Sequence, residues 1–252
     1  MSTKFRFLKV ESPALLKEVF RLRFQVYCLE CGFLDPGHYP DGLETDQYDS
    51  HSIHFAALDH LDKVVGSIRL IRNSEPTPFP IEVQCQPILE TNSFFRENIA
   101  EISRLAVSKN FRRREDDNFM GTGAYLPKET LKRNVLELKD FRRKRPEIVL
   151  GLYKMMYHES KRLGLTHWFA VMEAKLWKVL NRQGIQFIQI GKKADYYGPV
   201  NPYWGAISDL EKHIFNVNPQ LYYNYFLEGL EPCFWPYKII YTSQLLKGNA
   251  SG

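Results

Sequence analysis

A chain of 252 residues with 44% hydrophobic and 14% aromatic content is long enough to bury a sizeable core. No run nears the roughly 18 apolar residues of a membrane span, and Met1-Ser-Thr-Lys-Phe-Arg is not followed by a signal-peptide core, which points to the cytoplasm. The net charge of +5 is local: residues 109–145 hold twelve Lys and Arg against six Asp and Glu, a net of +6 that leaves −1 for the remainder.

In chain order, residues 5–10 read as a first strand, and Ser12-Pro13 opens a helix with a capping hydroxyl and a proline at the first helical position. Leu15, Val19, Leu22 and Val26 recur at helical spacing to about Leu29. Arg23 and Tyr27 lie one turn apart on one face. Cys28 and Cys31 form a C-x-x-C late in that helix. With no second such pair to complete a zinc site, and four cysteines too few for a disulfide framework, they read as packing thiols.

A loop rich in Pro, Gly and Asp follows Gly32-Phe33 and ends in Glu44, Asp46 and Asp49. Three carboxylates this close suit either a hard metal or a set of arginines. The spacing lacks the glycine and closing glutamate of a calcium loop, so an ion-pair network with Arg23, Arg69 and Arg104 is preferred and no metal is expected. Residues 52–58 and 64–71 read as a hairpin with Arg69 inside its second strand. His51, His54 and His60 lack a ligand spacing.

Residues 101–107, Glu-Ile-Ser-Arg-Leu-Ala-Val, read as a strand that carries two charges. Strict alternation puts Glu101, Ser103, Leu105 and Val107 on one face and Arg104 on the other with Ile102 and Ala106. Ionised groups inside a sheet are costly unless paired, which marks both as candidates for a site.

The basic stretch runs from Arg112-Arg113-Arg114 to Arg142-Arg143-Lys144-Arg145. It attracts an acidic partner: a phosphate-bearing cofactor, an acidic carrier protein, nucleic acid or an anionic membrane. Phe111, Phe119, Tyr125 and Phe141 are able to stack bases, but the rest of the chain is near neutral and no nucleic-acid motif is present, so no nucleic-acid partner is expected. Peripheral contact with a membrane surface stays open.

Beyond it, residues 147–163 read as a helix closed by Gly164, 166–172 as a buried strand, 174–183 as a helix and 185–190 as a strand. That β-α-β-α-β order calls for parallel strands in a mixed sheet. A strand at 203–207, a short helix at 209–215 and an aromatic helix at 219–227 follow. The whole reads as one domain over 1–247 with a basic insertion at 109–146 and a disordered tail at 248–252.

Taken together, Arg23 with Tyr27, Gly32-Phe33, Glu44-x-Asp46-x-x-Asp49, Gly66-x-x-Arg69-Leu70 and Glu101-x-x-Arg104 resemble the ordered motifs of the acyl-homoserine-lactone (autoinducer) synthases of the GCN5-related N-acyltransferase (GNAT) superfamily. The resemblance is closer to the N-acyl amino acid synthases and the exosortase-associated acyltransferases, in which a region similar to residues 191–199 also follows the last parallel strand. Tyr27 and Phe33 stand where lactone synthases have phenylalanine and tryptophan. The long basic insertion replaces the short pyrophosphate-binding turn of acetyltransferases that use coenzyme A.

The resemblance implies an α/β (α+β) GNAT-like fold, a mixed central sheet with splayed parallel strands flanked by helices. It implies an N-acyltransferase without a permanently bound cofactor. The acyl donor is expected to be acyl carrier protein, docked on Arg112, Arg113, Arg114, Arg142, Arg143 and Arg145, with acyl-coenzyme A as the alternative. The acceptor is an amino acid or similar small amine. Glu101 is expected to be the catalytic base, with oxyanion donors on the main chain of residues 105–107. Arg23, Asp46, Asp49, Arg69 and Arg104 form the pocket wall, and segments 148–156 and 166–172 line an acyl tunnel. A GNAT acetyltransferase and a lactone synthase are the alternatives, and a nucleic-acid module the alternative from another class.

Overall fold

A computed structural model of the protein describes residues 5–85, 96–111, 144–182, 184–217 and 219–236. Most of the basic insertion and the tail fall outside them. Strand β1 (Arg6–Lys9) is followed by α1 (Pro13–Phe24), then β2 (Ser52–Leu58), β3 (Val64–Arg72), α2 (Pro80–Gln84) and β4 (Ile99–Val107). Helix α3 (Lys144–Arg162), β5 (His167–Met172), α4 (Ala174–Arg182), β6 (Ile188–Gln189), β7 (Ala194–Asp195), β8 (Pro199–Ala206) and α5 (Ile207–Val217) complete the order. One sheet joins the strands as β1-β2-β3-β4-β5-β8-β6, with β7 paired to β8.

Ser12 caps α1, its Oγ accepting from the Leu15 N–H at 3.2 Å, with Pro13 in the first turn. The helix does not run on to Leu29 as an α-helix: residues Gln25–Glu30 widen into a π-helix that carries Tyr27. Val19, Leu22 and Val26 pack on one sheet face against Ala56, Leu58, Val64 and Ala106. Each such buried side chain contributes about 1.5–3 kcal/mol. Helix α3 covers the other face, where Ile148, Val149, Leu152 and Met156 join Phe55, Ala57, Ile68 and Leu70. It crosses so close that a Cβ on Gly66 would stand 2.6 Å from Ile148 Cγ2. Residues 219–227 do not form one helix; a single turn, Pro219–Leu221, passes into a π-helix at Tyr222–Phe226.

Two features of the sheet shape the site. Between β3 and β4, Ser67 pairs with Ala106 and Arg69 with Ser103, so Ile68 alone faces both Arg104 and Leu105. This is a β-bulge, with Arg104 at φ 52°. Simple alternation therefore fails past Ser103. Val107 turns to the α3 side while Ala106 faces α1, and Arg104 comes onto the face that carries Glu101, Ser103 and Arg69.

The second feature is the splay. Strand β4 pairs with β5 in parallel from Ile99–His167 to Ile102–Ala170 and no further. The rest of β4 has left its neighbour. Strands β4, β5 and β6 point the same way, as the β-α-β-α-β order requires, but β5 and β6 are not adjacent. Strand β8 lies between them, antiparallel to both. Chain order alone does not disclose such an insertion.

Candidate active site

The loop between the π-helix and β2 sets its carboxylates before any arginine meets them. Asp46 N–H donates to Asp49 Oδ2 at 2.8 Å, and Tyr48 N–H to Asp46 Oδ1 at 2.9 Å. Glu44 N–H donates to the Phe20 carbonyl at 3.2 Å, which ties the loop to α1. Glu44 itself is fully buried.

Three arginines from three elements close on these acids. Arg23 bonds Glu44 and, at 2.7 Å, Asp49 Oδ1. Arg69 bonds Asp46 Oδ2 at 2.9 Å and Asp49 Oδ1 at 2.6 Å, and its Nε donates to Ser103 Oγ at 2.9 Å. Arg104 bonds Glu44 Oε1 and Asp46 Oδ2, both at 3.0 Å. Each acid thus joins two arginines and each arginine two acids: a closed ring of six, Arg23-Glu44-Arg104-Asp46-Arg69-Asp49, with no formal net charge.

The charges stabilise one another. Burial raises the proton affinity of Asp49 and Asp46, but their arginines outweigh it and hold both carboxyls below the usual carboxylate range. Burial also works against the charge on Arg104, and Glu44 and Asp46 reverse that effect. His54, 3.6 Å from Asp49 and edge-on to the Phe20 ring, is pushed down to about 4 by burial and stays neutral.

Arg104 is also held by aromatic rings. Its guanidinium lies 5.6 Å from the ring centres of both Tyr27 and Tyr197, and Tyr196 lies near it. Tyr27 Oη donates to the Leu105 carbonyl in the bulge at 3.0 Å. The β7–β8 turn that brings these tyrosines has Tyr197 at φ 56° and Gly198 at φ 104°. Tyr196, Tyr197 and Ser103 are absent from the residues singled out for the site by sequence. Only the resemblance around residues 191–199 pointed towards the tyrosines.

Glu101 sits two residues before Ser103, on the last stretch of β4 still paired with β5, where Phe169 is its partner. Its side chain is 1% exposed, and its Oε2 accepts from the Ile81 N–H at 3.0 Å. Burial pushes its proton affinity up to about 8, against the opposing pull of that N–H and of Arg69. A carboxyl of this kind holds its proton at neutral pH and is half ionised near the pKa of an α-amino group, about 8.

The segments from which an acyl tunnel is expected are closely packed. Ile148, Leu152 and Met156 are fully buried, as are Trp168 and Ala170. A cavity of about 10 Å³, lined in part by Tyr157, Glu211 and Tyr222, lies on the α3 side of the sheet, away from Glu101, and has room for about one water. Arg112, Arg113, Arg114, Arg142 and Arg143 lie outside the described residues, and Arg145 falls in the first turn of α3. Among the described residues, no group of three or more His, Cys, Asp or Glu side chains is placed to hold a metal.

Residues 22–121 match the sequence model of the acetyltransferase (GNAT) domain. Solved structures share the fold. TofI, in a ternary complex with an inhibitor and MTA, is 16% identical over 84% of this chain and 97% of its own, with a TM-score of 0.56. The coenzyme-A-dependent acyl-homoserine lactone synthase BjaI, with SAM and isopentyl-CoA, is 18% identical over 86% and 90%, TM-score 0.53. FeeM, an N-acyl amino acid synthase from uncultured soil microbes, is 11% identical over 86% and 98%, TM-score 0.51. The matched domain and the shared fold support an N-acyltransferase of GNAT type. Within that fold, the chain has structural similarity to lactone synthases and to an N-acyl amino acid synthase.

Proposed function

We propose that the protein moves a long-chain fatty acyl group from the thioester of acyl carrier protein to the amine of an amino acid or similar small amine, in the cytoplasm, with Glu101 as general base. The observation that carries this reading is a buried carboxyl, poised near 8, on the stretch of β4 where its pairing with β5 ends. An ammonium must lose a proton before it attacks a thioester. Glu101 takes that proton directly or through one water, and the freed amine adds to the thioester carbonyl. The negative charge then falls on the carbonyl oxygen, facing the β4 edge that β5 has left. Main-chain N–H groups of residues 105–107 are the donors assigned to it. Collapse of the adduct forms the amide and expels the carrier thiolate, which takes up a proton.

The ionic ring is assigned to the pocket wall. Its three arginines are matched by three carboxylates, so its first role is to hold α1, the acidic loop, β3 and the bulge together. The basic insertion is assigned to docking of the acidic carrier protein through Arg112, Arg113, Arg114, Arg142, Arg143 and Arg145. Coenzyme A is the second reading for the donor, favoured by the fold shared with a coenzyme-A-dependent synthase.

The test is mass spectrometry of lipid extracts from bacteria that express the chain, beside bacteria with Glu101→Gln at equal soluble level. New N-acyl amino acids that vanish in the variant are expected. Their persistence in the variant removes Glu101 as base. Purified protein offered long-chain acyl carrier protein or the matching acyl-coenzyme A decides the donor.

A further inference from the structure

The turn that holds Glu101 is itself clamped. Helix α2 is only five residues long, and its Ile81 N–H is the donor to Glu101. The next residue, Glu82, accepts from the Phe79 N–H at 2.8 Å, which closes the turn on itself. Glu82 also takes a fork from Arg96, Nη1 to Oε1 and Nη2 to Oε2, each at 2.7 Å. Arg96 stands in the short turn that leads into β4. Its guanidinium lies 5.6 Å from the Phe79 ring centre, Phe79 packs edge-on to Phe169, and Phe169 is the register partner of Glu101. The chain of contacts returns to its starting point.

We propose that Arg96 and Glu82 are positioning residues for Glu101: their forked pair fixes α2 so that the Ile81 N–H stays on the carboxyl and sets its orientation and proton affinity. The assignment rests on the reading of Glu101 as base for its catalytic consequence, not for the clamp itself. As a source of stability the pair is modest, because Arg96 is 38% exposed and exposed pairs contribute about 0–1 kcal/mol. Its geometry matters more. The fork is planar and two-point, which a single-point charge does not reproduce.

Among the described residues, the charged or titratable groups that act on Glu101 include Arg69 from β3, Arg104 from β4, Glu82 from α2, Cys85 just beyond it and Tyr196 from the β7–β8 turn. Replacing Arg96 by methionine leaves Arg69 and Arg104 in place. It takes the Arg96 charge away from Glu82 and loosens the Ile81 donor. Both changes favour the protonated carboxyl, so the midpoint must rise.

The experiment follows the glutamate carboxyl carbons of the full chain by NMR after ¹³C labelling, with Glu101→Gln identifying the Glu101 signal. In Arg96→Met the midpoint is expected to rise by about 0.5 pH unit or more, with Arg96→Lys intermediate. The Ile81 amide is expected to exchange its hydrogen about tenfold faster while β4 amides keep their rates. An unchanged midpoint and an unchanged Ile81 rate in the folded variant overturn the proposal. If Arg96→Met does not fold, the same two readouts in Arg96→Lys decide it. A midpoint that follows Arg96 while acyl products survive Glu101→Gln overturns the base and leaves the clamp standing.

Discussion

Tyr27 donates its hydroxyl to the main-chain oxygen of Leu105 at 3.0 Å, tying the π-helix after α1 to the bulge in β4. Burial pushes the phenol up to about 12, so the donor persists across the neutral range. Tyr27→Phe keeps the ring beside Arg104 and leaves the Leu105 carbonyl without this donor. A loss of about 1 kcal/mol is expected, read as a fall of about 2–4 °C in the melting temperature. If residues 105–107 supply the oxyanion donors, turnover falls further than this, at unchanged affinity for the acyl donor.

Asp49 is the acid shared by Arg23 and Arg69. Asp49→Ala leaves two buried guanidiniums facing a gap, and a loss of about 3–5 kcal/mol is expected in urea unfolding. Because its folded-state proton affinity is depressed, Asp49 stabilises the protein above the ordinary aspartate value and loses that contribution as pH falls towards its lowered one. In Asp49→Asn, the decline in stability below pH 4 is expected to be shallower than in the parent. Equal slopes would mean that the ring does not govern acid unfolding.

Glu101 has the opposite sign. Its affinity is raised to about 8, so the folded chain holds a proton that the unfolded chain releases from about 4.5 upwards. Stability from this group is complete below the unfolded value and declines until pH 8, at about 1.4 kcal/mol per pH unit at most. Glu101→Gln is therefore expected to be more stable than the parent at pH 8–9, by a few kcal/mol, and equal to it near pH 4. If Glu101 is the base, acyl transfer by the parent is expected to rise through pH 7–8 as it ionises. Urea midpoints and rates over the same buffers check both.

Gly66 opens the Gly66-x-x-Arg69 motif on the face that α3 covers. Alanine there would force Ile148 to move from a contact of 2.6 Å. Overpacking of this order costs about 1–3 kcal/mol. Thermal unfolding of Gly66→Ala measures it, and restored stability in Gly66→Ala with Ile148→Leu, which lacks the Cγ2 methyl, would assign the cost to that contact.

Much of this site was legible in the sequence because charge on buried elements has few solutions. Arg69 in an apolar strand and Arg23 on a helix face require partners, and three clustered acids supply them. Glu44 appeared there as one acid among three; that it is the most buried is a matter of packing. The bulge was not legible, since one extra residue in β4 leaves no mark in composition yet reverses the face of Arg104. Nor was the place of β8, because local pattern assigns elements without saying which strand enters a gap. The tyrosines at 196–197 reach Arg104 only through that placement.

The bulge and the order of the strands also bear on the route by which the chain acquires its site. All six members of the ring lie between residues 23 and 104, ahead of α3, and can close on one another as the chain leaves the ribosome. Burial of Glu101 waits for β5, and the cover on Arg104 waits for the β7–β8 turn, contacts some 70 to 90 residues further on that are slow to form. A nascent chain that has reached only β4 lacks the β5 cover over Glu101. In chain order the ring is complete by β4, while the cover on Glu101 and Arg104 comes from β5 and the β7–β8 turn.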